Sequence, residues 1–441
     1  MKRIVISTES SISPQSADFG ALLGTEHYSY NFVASRFERA LSSAGFTVSF
    51  ISTPESYKHG ISFRAEFKTG PDSLVHISFR STKNIRPLIG ATNIVHFAWE
   101  FPFLKSETAP YEPITCNQVH MLGLMDYIWV PSRYAFDVLT NYGLRNVSLI
   151  PEPICRDAAP NPIDYDRAWH LLKALPVAPF VLSSEFSRDD NIEFVQSGLS
   201  SFGDLPVVSS KKENNGSKIF LTICNPSDLR KNFLNIIEGF QLAVQDRFDS
   251  LLLVKMVIPN KQDFRNASLY DHVLPLLHGP GGYNDHRIQL ITDFLAEEEM
   301  SALYAAADYY ICASHCEGFN LPLLEAMSFG VLPITTANTA MADYIDDSVA
   351  VVIGERTFPS PVRGMAGDIA GRVYPLSYAS RFDIAKAIQE AVSLAADERE
   401  KKAEAARRRV AERYSEERVV ELMLQSAPHL FGPGADEAIK G

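Results

Sequence analysis

Two carboxylates, Glu317 and Glu325, flank the start of a helix in the stretch "CEGFNLPLLEAMSFG" (316–330). Pro322 fixes φ for a first helical turn, an apolar run follows, and Gly330 ends it. The free N–H groups of such a helix start attract phosphate, which neighbouring carboxylates should repel. A ligand carrying both phosphates and hydroxyls removes the conflict, because amides take the phosphate oxygens while carboxylates accept from the hydroxyls. A nucleoside diphosphate sugar has that composition. On this reading Glu325, one turn inside the helix, takes a ribose diol, and Glu317, ahead of the helix, reaches the sugar. The opposing reading makes Glu325 a capping-box residue and Glu317 a loop charge.

A second element complements the first. In "TICNPSDLRKN" (222–232), Arg230 and Lys231 precede a helix that starts near Asn232. Their charges and the helix N-terminus can converge on a diphosphate; alternatively they form a basic pair on a surface turn. Earlier in the chain, "NIVHFAWEFPF" (93–103) ends a strand with His96, Trp99 and Glu100. Side chains alternate along a strand, so these three cannot all face one cleft. Glu100 is favoured by its place at the carboxyl end, and His96 reads equally well as a core histidine. The loop "SADFGALLGTEHYSYNF" (16–32) carries Gly20 and Gly24, which let backbone approach a ligand or simply serve a tight turn.

These residues need a scaffold that gathers them. From the N-terminus, short β-branched runs ("RIVIST", "TVSFIST", "LVHISF", "NIVHFAW", "YIWVPS", "VSLIP") alternate with helical patterns. Strands arriving every 20 to 30 residues with helices between them predict βαβ units and a parallel sheet. The rhythm breaks over 155–217, where prolines, "RDDN" and "SSKKENNGS" predict a connection carrying an insertion. It resumes with "KIFLTI", "LLLVKMVI", "RIQLI", "YYICAS", "VLPITT" and "VAVVIG". The expected organisation is therefore a first α/β domain over 1–154, a connection over 155–217, a second α/β domain over 218–378 and a helical tail over 379–441. Two doubly wound sheets facing each other place the carboxyl ends of their strands on opposite walls of one cleft, where such sheets bind ligands.

The spacing E-x7-E of Glu317 and Glu325 within "EGFNLPLLEAMSFG" closely resembles the signature of glycosyltransferase family 4. The likeness extends over most of the second domain and, more loosely, over "YIWVPSRYAFDVL" and "VSLIPEPI" in the first. The resemblance implies the GT-B architecture, two Rossmann-like domains across a cleft, and a retaining enzyme using a nucleotide-sugar donor without a metal or other cofactor. It implies that Glu325 holds the ribose, that Glu317 contacts the donor sugar, and that Gly318, Phe319, Asn320 and Leu321 line the donor pocket. It places a phosphate-binding lysine at Lys231. An arginine often accompanies it six positions earlier, and here that position is Asn225, which donates without charge and leaves more to Lys231 and Arg230. The family's first-domain histidine corresponds either to His96 or to the Trp99/Glu100 pair. The implied acceptor is a hydroxyl of a glycan or lipid-linked glycan, and front-face attack lets the leaving phosphate take its proton. Two other readings stand beside this one: a phosphorylase or sugar-phosphate synthase on the same scaffold, and a non-catalytic nucleotide-sugar-binding subunit.

Composition sets the outer bounds. With 441 residues, 46% hydrophobic and 21% charged, the chain suits a soluble protein of two or three domains. A net charge of −12 argues against wholesale nucleic-acid binding. Arg80, Lys83 and Arg86 in the near-neutral first third offer either a peripheral contact with an anionic membrane or a solvated loop. Five scattered cysteines (Cys116, Cys155, Cys224, Cys312, Cys316) suit a reducing compartment. With no membrane-length apolar run and no signal-peptide pattern, a cytoplasmic protein is expected. Cys312, His315 and Cys316 supply too few local ligands for zinc. "HGPGGYND" reads as a turn, and neither a phosphate-loop lysine motif nor a nucleophile elbow is present. Lys255, within an apolar strand, faces the cleft or an exposed strand end.

Overall fold

The computed structural model describes residues 3–10, 26–56, 74–154, 165–181, 200–208, 216–225, 228–247, 249–257, 284–291, 293–361 and 373–431. The β-branched runs form the expected strands. In the first domain these are β1 (Arg3–Ser7), β2 (Thr47–Ile51), β3 (Leu74–Ser78), β4 (Thr92–His96), β5 (Tyr127–Val130) and β6 (Val147–Leu149). They pair in parallel in the order β2-β1-β3-β4-β5-β6. All five residues of β3 are buried, as a parallel strand covered on both faces requires. Around the sheet lie α1 (Glu26–Ser43), α2 (Gln118–Leu122) and α3 (Arg133–Asn141).

The second sheet contains β7 (Pro176–Val181), β8 (Ser200–Ser201), β9 (Lys218–Cys224), β10 (Ser250–Met256), β11 (Asn284–Ile291), β12 (Tyr309–Cys312), β13 (Leu332–Thr335) and β14 (Val351–Val352). Its parallel part runs β11-β10-β9-β12-β13-β14, and β7 and β8 extend it antiparallel beyond β11. The stretch read from sequence as a connection thus contributes two strands to this sheet. Reading the parallel strands by chain order gives 3-2-1-4-5-6, so the winding reverses between β9 and β12. In open α/β sheets that reversal opens a crevice for ligands at the carboxyl ends of the two strands. Both sequence motifs leave the sheet there, one after β9 and one after β12.

The remaining elements join the halves. Helices α4 (Tyr165–Leu172), α5 (Phe233–Ala243), α6 (Glu297–Ala306) and α7 (Leu321–Ser328) cover the second sheet, and β15 (Arg356–Pro361) and β16 (Val373–Tyr378) form a separate hairpin. The C-terminal helices divide between the domains. α8 (Arg381–Ser393) packs on α5, where a Cβ on Gly239 would stand 2.8 Å from Ile384 Cγ2; only glycine allows that approach. After α9 (Ala396–Tyr414), α10 (Glu416–Ser426) and α11 (Pro428–Phe431) return to the first domain. There Val419, Met423 and Phe431 join the core of Ile4, Ile77 and Trp129. The two connections meet where Ile154 N–H donates to Tyr414 O at 2.7 Å, which marks the hinge of the cleft. Leu321 packs against the cores of both domains.

Candidate functional site

The wall of the crevice begins where β9 ends. Asp228 caps the turn Leu229–Lys231 by accepting from Arg230 N–H at 3.1 Å. Asn232, left-handed at φ 55°, then starts α5, with Nδ2 donating to Ala313 O and Ala379 O at 3.2 and 2.8 Å. These bonds aim Lys231 into the crevice, where Nζ donates to Glu317 Oε1 at 2.7 Å. Glu317 is buried and fixed through its own N–H, which donates to Thr339 Oγ1 at 2.8 Å. Burial, the largest influence, lowers the Lys231 ammonium, but Glu317 and Asp228 together hold the group above its ordinary value. The two motifs, 86 residues apart in sequence, thus form one ion pair at the switch point. His315 N–H, donating to Arg230 O at 2.8 Å, ties their loops together.

The loop from β12 into α7 departs in part from expectation. Gly318 lines the cleft: a Cβ there would stand 3.3 Å from Ala98 Cβ and Trp99 N, and 3.4 Å from Glu100 Oε2, all in the first domain. Phe319 does not line the pocket, because its ring sits in the second-domain core against Tyr344 and Tyr414. The Asn320 side chain also turns inward, Nδ2 donating to Cys312 Sγ at 3.2 Å and Met341 Sδ at 3.3 Å. The reason is geometric: the chain must turn from strand to helix within a few residues, and Asn320 makes the turn at φ 73°, which brings its side chain inward next to that of Phe319. The helix start also offers fewer amides than its outline suggests. Pro322 has none.

Glu325 lies one turn inside α7 and is already engaged on both oxygens. Arg36 of α1, crossing from the first domain, pairs with Oε1, and Tyr304 OH donates to Oε2 at 2.7 Å. Arg36 stacks over Phe32 at 4.4 Å and also donates to Pro153 O at 3.4 Å. Beside it Glu152 is buried, and burial pushes its carboxyl up to about 8, against the pull of Arg36 and with the push of Glu325.

Of the first-domain candidates, Glu100 and not His96 reaches the cleft. Glu100 pairs with Arg230 across it, and burial raises the carboxyl above its usual range against the opposing pull of Arg230. The Arg230 guanidinium is committed further, donating to both oxygens of Asp228 at 3.0 and 2.6 Å. In this structure it braces its own loop and the opposite domain. His96 is 3% exposed and sits in the core between the rings of Phe37 and Phe79, at 5.0 and 5.4 Å. Burial pulls its imidazole down to about 4, so the ring is neutral. It ends β4 with its side chain on the inner face, and the cleft receives the residues after it. Asn225 lies just past β9, its carbonyl accepting from Asp228 N–H at 3.0 Å. Lys255 is buried, with Nζ donating to Met256 O at 2.8 Å, so it is not at an exposed strand end. Gly20 and Gly24 fall outside the described residues.

Sequence reasoning missed Arg36, Glu152, Asp228 and Tyr304. A signal existed for the first: Arg36 interrupts the apolar stripe of Phe32, Val33, Phe37 and Ala40 on α1, and a cation there needs a buried anion. Nothing in the sequence pointed to Glu152. Cys312, His315 and Cys316 diverge: Cys312 Sγ meets Ser314 Oγ at 3.4 Å, His315 stacks on Tyr378, and Cys316 packs with Phe101. Among the described residues, no helix is long and apolar enough to cross a membrane.

Residues 286–357, which include Glu317 and Glu325, match the family described as "Glycosyl transferases group 1". The chain is 38% identical over 55 residues to an O-antigen chain mannosyltransferase B of Escherichia coli, a match spanning 12% of this chain and 14% of that relative's length. Among solved structures, sucrose-phosphate synthase of Thermosynechococcus elongatus superposes with a TM-score of 0.55 at 14% identity, over 98% of this chain and 99% of that one. HepE of Anabaena, in complex with UDP and glucose, gives 0.53 at 12% identity over 98% and 100%. A glycosyltransferase of Rickettsia africae gives 0.53 at 13% over 97% and 99%. The fold is therefore GT-B: two Rossmann-like domains facing across a cleft.

Proposed function

We propose that the protein is a retaining glycosyltransferase that moves a sugar from a nucleoside diphosphate donor to a hydroxyl of a glycan or lipid-linked glycan. One observation carries the reading: Lys231 and Glu317 meet at the carboxyl ends of β9 and β12, where the sheet reverses. A donor diphosphate arriving there competes for the Lys231 ammonium and frees Glu317 to accept from sugar hydroxyls. Glu325 accepts from the ribose diol.

In the transfer, the bond between the anomeric carbon and the diphosphate oxygen breaks as the acceptor oxygen bonds to that carbon. The acceptor proton passes to the leaving phosphate. Charge grows on the diphosphate, so Lys231, already held cationic, contributes by electrostatic stabilisation. Arg230 and Glu100 act by holding the walls together, which excludes water and favours transfer over hydrolysis. The reading assigns no metal to the reaction. The complex of HepE with UDP and glucose and the group 1 match support it.

Purified protein would be incubated with UDP-, GDP-, ADP- and dTDP-sugars and candidate glycan acceptors, and release of free nucleoside diphosphate followed. Acceptor-dependent release, lost in Lys231→Ala, is expected. Tight nucleotide binding with no release under any pairing would refute catalysis and favour a binding subunit.

A further inference from the structure

At the hinge, two carboxyl groups share one cation. Arg36 reaches from α1 to Glu325 on α7, while Glu152 lies buried in the segment that leaves β6 for the second domain. Arg36 also donates to the carbonyl of Pro153, the residue after Glu152, so it already touches that segment. The charged groups acting on Glu152 are Arg36 and Glu325. Facing Glu325 from their own helices are Tyr304 and Tyr28, both held neutral by burial, and Glu297 acts on Tyr28.

A ribose diol needs room on Glu325. With Arg36 on one oxygen, Tyr304 on the other, and the side chain 17% exposed, each oxygen keeps one acceptor site, and withdrawal of a partner opens the approach to both. Tyr304 is buried within the same domain and cannot withdraw, whereas Arg36 belongs to the opposite wall. Its side chain is 10% exposed, and a guanidinium at that depth cannot be left without an anion. Besides Glu325, the carboxyl group that interacts with Arg36 is that of Glu152, next to Pro153 whose carbonyl Arg36 already meets.

We propose that Arg36 and Glu152 are positioning residues for donor binding: when the ribose takes Glu325, Arg36 passes to Glu152, and Glu152 gives its proton to water. The exchange takes the hinge from neutral to one net negative charge, since one neutral acid and one ion pair become one ion pair and one hydroxyl-bound carboxylate, and the balancing proton leaves to water. It links occupancy of the second domain to the segment on which the domains turn. Glu152, held protonated near neutral pH by burial, is the reserve acid that makes the exchange possible. This inference rests on the assignment of Glu325 to the ribose.

The test is calorimetric titration of the full-length protein with UDP, GDP and ADP at pH 7 in two buffers of different ionisation enthalpy, which counts protons released on binding. Glu152→Gln mimics the protonated acid and keeps the packing, so it serves as the reference and cancels protons lost by the nucleotide itself. About one proton more per nucleotide is expected from wild type than from Glu152→Gln. Equal proton counts in both, with binding intact, would overturn the exchange and leave the ribose assignment standing. Binding unaffected in Glu325→Ala would refute the ribose assignment and the exchange with it.

Discussion

Among the ion pairs that join the domains in the described residues, two are built in opposite senses. Near the mouth, Arg230 of the second domain meets Glu100 of the first and is also held on both oxygens of Asp228. At the hinge, Arg36 of the first domain meets Glu325 of the second, with Glu152 buried beside it. The mouth cation carries a full set of partners on its own loop, so losing Glu100 does not strand it. The hinge cation serves two carboxyls, so one of them stays protonated. One contact type therefore braces in one place and stands ready to exchange in the other, according to whether the cation's second acid is held ionised, as Asp228 is, or kept protonated by burial, as Glu152 is.

Between the two clasps lies Lys231–Glu317, confined to the second domain, and its removal should have the largest effect on turnover. Lys231→Ala should lower kcat by about 100- to 1000-fold, as loss of a group that stabilises leaving-group charge does. Both clasps should survive, so the solution scattering profile should stay that of wild type. A drop in kcat below tenfold would remove Lys231 from the chemistry.

Glu325→Ala breaks the hinge clasp and leaves Arg36 buried with one partner fewer. A loss of about 3 kcal/mol of stability is expected in denaturant unfolding, since breaking a buried pair strands its partner. Donor KM should rise more than kcat falls, because ribose contacts are equal in ground and transition states. Glu100→Gln, at the mouth, should cost about 1 kcal/mol, because Arg230 keeps Asp228. Equal losses in these two variants would erase the difference between the clasps.

The smallest effect on activity is expected at His96. His96→Leu should leave kcat within about threefold of wild type, since the ring is in the core and not in the cleft. Its effect should appear in acid. His96 and His76 are both pulled from 6.5 to about 4 by burial, so each is neutral when folded and must charge on unfolding. Stability from these depressed groups is present above pH 6.5 and lost as the pH falls towards 4. Melting temperatures taken between pH 7 and pH 4.5 should fall less steeply in His96→Leu than in wild type.

How much of this was legible in the sequence differs between the two walls. The second-domain wall was readable because its chemistry is local: strand, loop and Pro-started helix set Glu317 and Glu325 by backbone geometry alone, and Lys231 precedes a helix start. Even there, the inward turn of Phe319 and Asn320 escaped, since which side of a tight strand-to-helix turn a residue faces depends on what packs behind it. The first-domain wall was less readable. A histidine at a strand end looks the same in sequence whether it faces a ligand or two phenylalanine rings. Strands β7 and β8 hid in a stretch whose prolines signal a connection, because edge strands tolerate proline.

By itself, then, the sequence determined the alternation of strands and helices, the two sheets that follow from it, and the placing of Glu317, Glu325 and Lys231 in the loops and helix starts that follow β9 and β12, since backbone periodicity and turn chemistry act over a few residues. Only the tertiary structure decided which charges meet. Arg36 and Glu325 stand 289 positions apart, and Glu100 and Arg230 stand 130 apart. Whether such groups pair, share or stay neutral depends on burial and on the count of opposite charges nearby, which exist only after the domains have closed on each other.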